Sequence, residues 1–245
     1  TLEPPAMGGA YKIVEHTAGQ RLVLEAHDGF AGPKPHFRRV EILPITDSKA
    51  AENAVQAGQV DWTRVSLSIV PKLRANLPEN LSLELKYAPD NVWMGLNGAS
   101  PRLSDIRVRQ AILKAIDVDA ILDGAYFGVA EPAHGPVSKG LLGYREEAPA
   151  GRDVEGAKKL IDAAGASGTT ITLDTLADAD FLTGAQIVQA NLAEIGVNLV
   201  IEQHEGGSFW SLVSTKGKEG IDMNFNRWLA PPDLSWTTQW LLSSQ

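Results

Sequence analysis

The sequence predicts an α/β fold with a partly parallel sheet, and three observations predict it. Short β-rich runs alternate with helical runs along the chain. The helical runs beyond residue 98 are long enough to act as crossovers between parallel strands. Their ends carry acidic caps and stopping glycines where helices begin and end. With 245 residues, 44% of them hydrophobic and 21% charged, the chain has ordinary globular composition. It is long enough for one large domain or two modest ones.

The early chain is written in short pieces. Runs 21–26 (RLVLEA) and 39–45 (RVEILPI) are β-rich, and DGFAGPKPHF between them is a glycine- and proline-punctuated loop. Ser48 is expected to cap the helix SKAAENAVQAG, whose apolar residues recur three to four apart and which Gly58 stops. A strand at 59–65, a short helix at 68–77 and a strand at 81–89 follow. Another strand, NVWMGLNG at 91–98, opens the second part. Helices are expected there at 105–116, 119–127, 154–164, 181–195 and 208–215, and strands at 170–176, 197–204 and 220–228. Asp153 caps the helix that Gly165 ends, and Gly196 ends the next. Asp178 and Asp180 in LADADF read as loop and N-cap residues of the 181–195 helix, with an acid/base pair as the other reading. The terminal run DLSWTTQWLLSSQ reads as a helix with two adjoining apolar stripes, and its partner is expected elsewhere in a longer fold.

Composition closes several functional classes. A net charge of −8 argues against nucleic acid, which requires clustered Lys and Arg. No apolar run approaches the roughly 18 residues that mark a spanning helix. The absence of cysteine removes disulfides and thiolate chemistry, and fits a cytosolic or a bacterial exported protein equally. The opening TLEPPAMGGAYKI looks like a chain cut inside a loop, so the lack of a signal peptide carries no weight. His16, His27, His36, His134 and His204 are scattered without HExxH spacing, so no metal ligand set is expected. GGSFW at 206–210 lacks the second glycine of a nucleophile elbow, and neither GxGxxG nor a P-loop occurs. No catalysis and no cofactor are expected.

The aromatic residues say more. Six tryptophans stand against four tyrosines, and Trp228, Trp236 and Trp240 fall close together. NRWLAPPDLSW at 226–236 sets an amide, a guanidinium, an indole and a carboxylate where a strand ends and a proline-stiffened loop begins. Ligand contacts in α/β sheets gather at such carboxyl ends. The same residues are also compatible with Trp228 in the core and Arg227 merely solvated.

One further stretch poses a puzzle. SDIRVRQAILKAIDVDAIL at 104–122 puts Arg107 and Arg109 near a helix start, where the macrodipole disfavours cations. It closely resembles the D-x-R-V-R-Q-A…A-I-D-x-D-x-I segment of the extracellular solute-binding proteins, family 5, the peptide/nickel group of ABC-importer binding proteins. GGAYKIVEHTAGQRLVLEAHDGF, KAAENAVQAGQVDW, MGLNGASPRLSD, DVEGAKKLIDAAG, ANLAEIGVNLVIE and APPDLSW resemble further family passages in the family's order. The resemblance runs along the whole chain.

It implies a two-lobed periplasmic-binding-protein-like fold of the peptide-binding class (type II), of which this chain is a fragment. Residues 1–90 would be the latter part of lobe I, 91–98 a hinge-crossing strand and 99–245 most of lobe II. The twin arginines would pair with Asp105 and Asp117 and orient two helices. The implied function is capture of a peptide or related small solute and its delivery to ABC permease subunits, in the periplasm or anchored by lipid outside the cytoplasmic membrane. The implied ligand-binding set is Asn226, Arg227, Trp228, Asp233, Trp93 and Asp178. Peptide-binding relatives carry an ammonium-holding Asp three residues after the matching tryptophan. Pro231 stands there, so either Asp233 substitutes or the ligand lacks a free amine at that end; an ammonium buried without its counter-charge would cost several kcal/mol. Arg227 would suit a carboxylate. A sensor or chaperone-like peptide holder, or an unrecognised hydrolase, are the other readings. The apolar stripes of 233–241 would favour self-association.

Overall fold

A computed structural model of the chain describes residues 8–86, 90–147, 151–216 and 220–229, apart from the side chains of 214–216, 228 and 229. The chain divides between Ser66 and Leu67 into two compact units.

In the first unit β1 (Tyr11–Thr17), β2 (Arg21–Ala26) and β3 (Arg39–Ile42) form an antiparallel sheet in that order. β1 was not expected from the sequence. Its YKIVEHT run is half polar and largely exposed, so it carries little apolar signal. Gly19, with φ of 72°, makes the β1–β2 turn, and Arg21 clamps Glu15 through bonds of 2.7 and 2.8 Å. α1 (Ser48–Gln56) is capped by Asp47, not Ser48: the Asp47 carboxylate accepts from Ala50 N at 2.7 Å. Residue 48 is already helical, whereas Asp47 keeps the extended backbone a cap requires. No strand forms over 59–65, because Gln59 and Val60 spend their N–H groups on the Ala54 carbonyl behind α1.

The second unit opens with a 3₁₀ turn, Leu67–Ile69, running into α2 (Val70–Ala75). Residues 81–86 are not a strand; 87–89, the rest of that expected run, lie outside the described residues. Then come β4 (Asp90–Leu96), α3 (Ile106–Ala115), α4 (Val118–Tyr126), α5 (Val154–Ala164), β5 (Thr170–Leu176), α6 (Ala179–Glu194), β6 (Asn198–His204), α7 (Gly206–Lys216) and β7 (Met223–Leu229). The sheet order is β4-β7-β5-β6, with β5 parallel to both neighbours and β4 antiparallel to β7. This is the partly parallel sheet that the helix–strand alternation predicts. β6 and β7 flank β5 on opposite sides, so right-handed crossovers place α6 and α7 on opposite faces. No helix of the described residues is long and apolar enough to cross a membrane.

α6 covers one face. Its Phe181, Ala185, Val188 and Leu192 are wholly buried with Ile171, Leu173 and Met223 of the strands. Phe181 meets Phe225 edge-on, with centroids 5.1 Å apart. Gly184 permits that closeness, since a Cβ there would lie 2.7 Å from the Phe225 ring. α3 packs on α5 through Ala111, Ala115 and Ala157, residues small enough for close helix approach.

The twin arginines resolve in two ways. Asp105 caps α3, accepting from Arg107 N at 2.8 Å, and its carboxylate also binds the Arg107 guanidinium at 2.6 Å. An acid at the N-cap thus offsets the cation. Arg107 also donates to the Ala163 carbonyl at 2.8 Å, in the last turn of α5, where a cation is favoured. Arg109 does not pair with Asp117. It donates to the Leu103 and Ser104 carbonyls, while Asp117 caps α4 and faces Arg152 at 4.0 Å. Arg109 holds the turn before its own helix, so the α3–α4 junction is tied by Arg152, which donates to the Ala115 carbonyl at 2.9 Å.

Candidate functional site

Side chains alternate across a strand, so the face opposite α6 carries the other half of each strand. On it stand Thr172 and Asp174 of β5, Glu202 and His204 of β6, Asn224 and Asn226 of β7, and Asn91 and Trp93 of β4. Register aligns them in rows. Glu202, Asp174, Asn224 and Gly95 form one; Leu176 pairs with His204, and Asn226 with Trp93, in the next. An interior sheet face with this many amides and acids is not built for packing alone.

Gly95 is the device that opens the β4–β7 part of this face. A Cβ there would lie 2.7 Å from the Asn224 amide and 2.8 Å from the Trp93 ring, so only glycine lets both lie over the strand. Asn226 is wholly buried and donates to Asn224 Oδ1 at 2.8 Å. Its own Oδ1 has no partner, and neither does the buried Trp93 Nε1. Leaving such groups unmet costs about 1–3 kcal/mol each, so this part of the face holds a buried acceptor and a buried donor at a cost to stability.

The other sequence-derived candidates fall in different places. Arg227 alternates to the face under α6 and is exposed. Its charge acts there on Asp90, whose carboxyl burial pushes up and Arg227 pulls back. Burial, with Asp180 adding, pushes the Tyr126 hydroxyl well above its ordinary value; Arg227 opposes this. Arg227 is therefore not grouped with Asn226 and Trp93. Trp228 pairs in register with Asn91, two residues beyond Asn226; its side chain lies outside the described residues. Asp178 is the exposed N-cap of α6, just past the carboxyl end of β5, and its side chain makes no capping bond. Asp233 and the stripes of 233–241 lie outside the described residues.

Two cavities adjoin the sheet. One of about 620 Å³ lies beside β4 and α4, lined by Val92, Met94, Tyr126, His134 and Phe225 among others. The unpartnered Tyr126 hydroxyl and His134 Nδ1 belong to its lining residues. The other, about 310 Å³, is polar and lies against Asp174, Glu202, His204 and Asp222. Asp222 is buried and accepts from Ser100 Oγ and, at 3.0 Å, from Thr172 N. Burial pushes the Asp174 carboxyl up, against the 2.7 Å hydrogen bond with His204. Sequence reading missed Asn224, Asp174 and His204 as members of this face. For Asn224 the signal was available in GIDMNFNRW, whose polar residues at 222, 224 and 226 recur with the strand period of two; Asp174 and His204 join the face only through register.

The comparisons with known proteins bear on this geometry. The pattern of the bacterial extracellular solute-binding proteins, family 5 Middle, matches residues 1–245. The chain belongs to this family of binding proteins. It is 26% identical over 222 residues to a putative ABC transporter peptide-binding protein of Brucella ovis, covering 87% of this chain and 41% of that one. The chain thus spans about two fifths of the length of such curated relatives. Its fold superposes with a TM-score of 0.79 and 26% identity on the ABC transporter-associated periplasmic binding protein DppA of Helicobacter pylori, solved in complex with the peptide STSA. That match covers 94% of this chain and 44% of DppA. NikA of Brucella suis, in complex with Fe(III)-EDTA, matches with a TM-score of 0.79 and 25% identity, over 93% of this chain and 49% of NikA. The mixed α/β architecture is that of the periplasmic binding proteins, as the sequence resemblance implied.

Proposed function

We propose that this family member serves as the solute-capturing component of a bacterial ABC importer, binding a peptide or related small solute and presenting it to membrane permease subunits. The observation that carries the reading is the buried, unmet pair on the sheet: the Asn226 Oδ1 acceptor and the Trp93 Nε1 donor. A peptide group offers an N–H and a C=O in return, and DppA is solved with a peptide. Trp228, following on β7, supplies the aromatic wall in this reading, and Asp178 and Asp233 border it. Arg227, on the other face, is left to the electrostatics of Asp90 and Tyr126. Binding rather than catalysis fits a family of solute-binding proteins, and in this reading the protein works in the periplasm or lipid-anchored outside the cytoplasmic membrane. The lobe boundary expected near residue 90 is part of this reading; the compact units divide earlier, between Ser66 and Leu67.

The test is native mass spectrometry of the protein with its natural flanking sequence, isolated from the cell envelope, followed by calorimetry with the co-purified solute. Truncating a central buried aromatic commonly weakens binding by about 2 kcal/mol or more, so Trp228→Ala is expected to weaken it at least about tenfold without unfolding the protein. Unchanged affinity in both Trp228→Ala and Asn226→Ala would remove this face from the ligand site.

A further inference from the structure

We propose that Asp174, Glu202 and His204 form a binding site for a divalent transition-metal ion, with zinc as its simplest occupant. The site is separate from the Asn226–Trp93 pair and does not depend on the solute-binding reading. One ligand atom from each of the three residues lies within 4.8 Å of the others. One imidazole nitrogen and two carboxylate oxygens make a donor set that suits zinc and its first-row neighbours.

The fold itself brings these groups together. Glu202 and His204 are two apart on β6 and so share a face, while Asp174 is the register partner of Glu202 on β5. Both strands are held by a continuous parallel ladder, so the three positions are preorganised before any ion arrives. The polar cavity of about 310 Å³ borders all three and leaves an open side for water or a further ligand.

Charge points the same way. The Asp174 side chain is only 5% exposed, and its hydrogen-bonded partner is a histidine that carries charge only when protonated. Asp222, also buried, adds repulsion to Asp174. Arg102 bonds to Asp222 at 3.3 Å, so its charge is directed to that neighbouring acid. A divalent cation would neutralise the Asp174–Glu202 pair directly. His204 Nε2 and Asp174 Oδ1 are now 2.7 Å apart, a hydrogen-bond distance. Ligating one ion at roughly 2.0–2.1 Å from each in a tetrahedral arrangement opens them to about 3.3 Å. His204 is the last residue of β6, with Glu205 between it and the start of α7 at Gly206, and the difference is within reach of a small side-chain rotation.

The other account of the geometry is a hydrogen bond that merely satisfies a buried acid, and the experiment separates the two. The 245-residue chain, stripped with chelator, is titrated with zinc chloride by calorimetry at neutral pH. The same titration is run on Glu202→Gln and His204→Gln, with circular dichroism and thermal melts to check folding. Glu202 is exposed, so E202Q tests ligation without disturbing the core. The expected result is one saturable zinc site per chain, weakened about tenfold or more by each substitution. Absence of saturable binding overturns the site. So does binding that E202Q leaves unchanged, which would place zinc on other histidines or on His204 alone.

Discussion

The two faces of the β4-β7-β5-β6 sheet are made by the same strands, residue by alternate residue, yet they obey different rules. The face under α6 is apolar: Ile171, Leu173, Met223 and Phe225 are at most 1% exposed and pack on helix side chains. The opposite face buries Asp174, Asp222 and Asn226 and leaves polar atoms of Asn226 and Trp93 unmet. Burial is therefore not the difference. On the first face burial removes apolar surface from water and stabilises; on the second it strips polar groups of water and costs stability. Substitutions with similar loss of volume should then have opposite signatures on the two faces.

The largest effect is expected at Phe225. Replacing it by Ala removes a ring that is 1% exposed and stacked edge-on against Phe181. Such truncations cost about 3–5 kcal/mol, and urea denaturation should show most of the second unit's stability lost. A cost below about 1 kcal/mol would mean the helix-side core is far looser than its burial indicates.

Gly184→Ala comes next. On helix propensity alone Ala should stabilise by about 1 kcal/mol. Here the new Cβ would lie 2.7 Å from Phe225 and force the ring to move. Overpacking of this kind costs about 1–3 kcal/mol, so the net change should be destabilising. A higher melting temperature for G184A would show that the Phe225 ring yields freely and that α6 is not pressed on the sheet.

Asn226→Ala carries the contrast to the second face. The substitution loses the bond to Asn224, worth about 1 kcal/mol, but also removes an unmet buried acceptor whose desolvation cost is at least as large. Stability should change by less than about 1 kcal/mol while solute affinity falls. A large loss of stability without any change in binding would make Asn226 a core residue and erase the distinction between the faces.

Much of this was legible in the sequence, and the failures have physical causes. α5 and β5 were readable to the residue, because Asp153, Gly165 and the β-rich run TITLDTL at 170–176 state their own boundaries locally. The strand expected at 59–65 had β-rich composition but no partner, since its first donors close the end of α1. Strandness needs a neighbour, and a neighbour is not a local property. The site divided along the same line. Asn226 and Trp93 were on the candidate list, and alternation alone separates Asn226 from Arg227. What no local pattern could supply was register: Asp174 meets Glu202 and His204 only through a parallel pairing closed by the whole of α6.

The smallest expected effect lies in the helix layer, at Asp153, and it tests whether that layer owes anything to charge. Asp153 caps α5 by accepting from Gly156 N at 2.8 Å and pairs with Lys114 of α3 at 2.8 Å. The Lys114 hydrogen bond, then the Gly156 bond, hold its carboxyl below the ordinary value. An acid whose pKa is depressed on folding adds stability that is full above its unfolded pKa, near 3.9, and is lost as pH falls through the lower folded value. Asn caps as well as Asp, so Asp153→Asn keeps the N-cap and removes only the charge. The variant should be slightly less stable than the parent at neutral pH. The gap should begin to narrow as pH drops below about 4, where the unfolded chain takes up the proton, and close only once pH falls below the parent's lowered folded value. Salt should narrow it at neutral pH, since both partners are solvent-exposed. Melting curves of both proteins from pH 7 down to pH 3 read this directly. A gap that persists unchanged at low pH would show that the carboxylate acts through shape alone, and that charge contributes nothing to the α3–α5 contact.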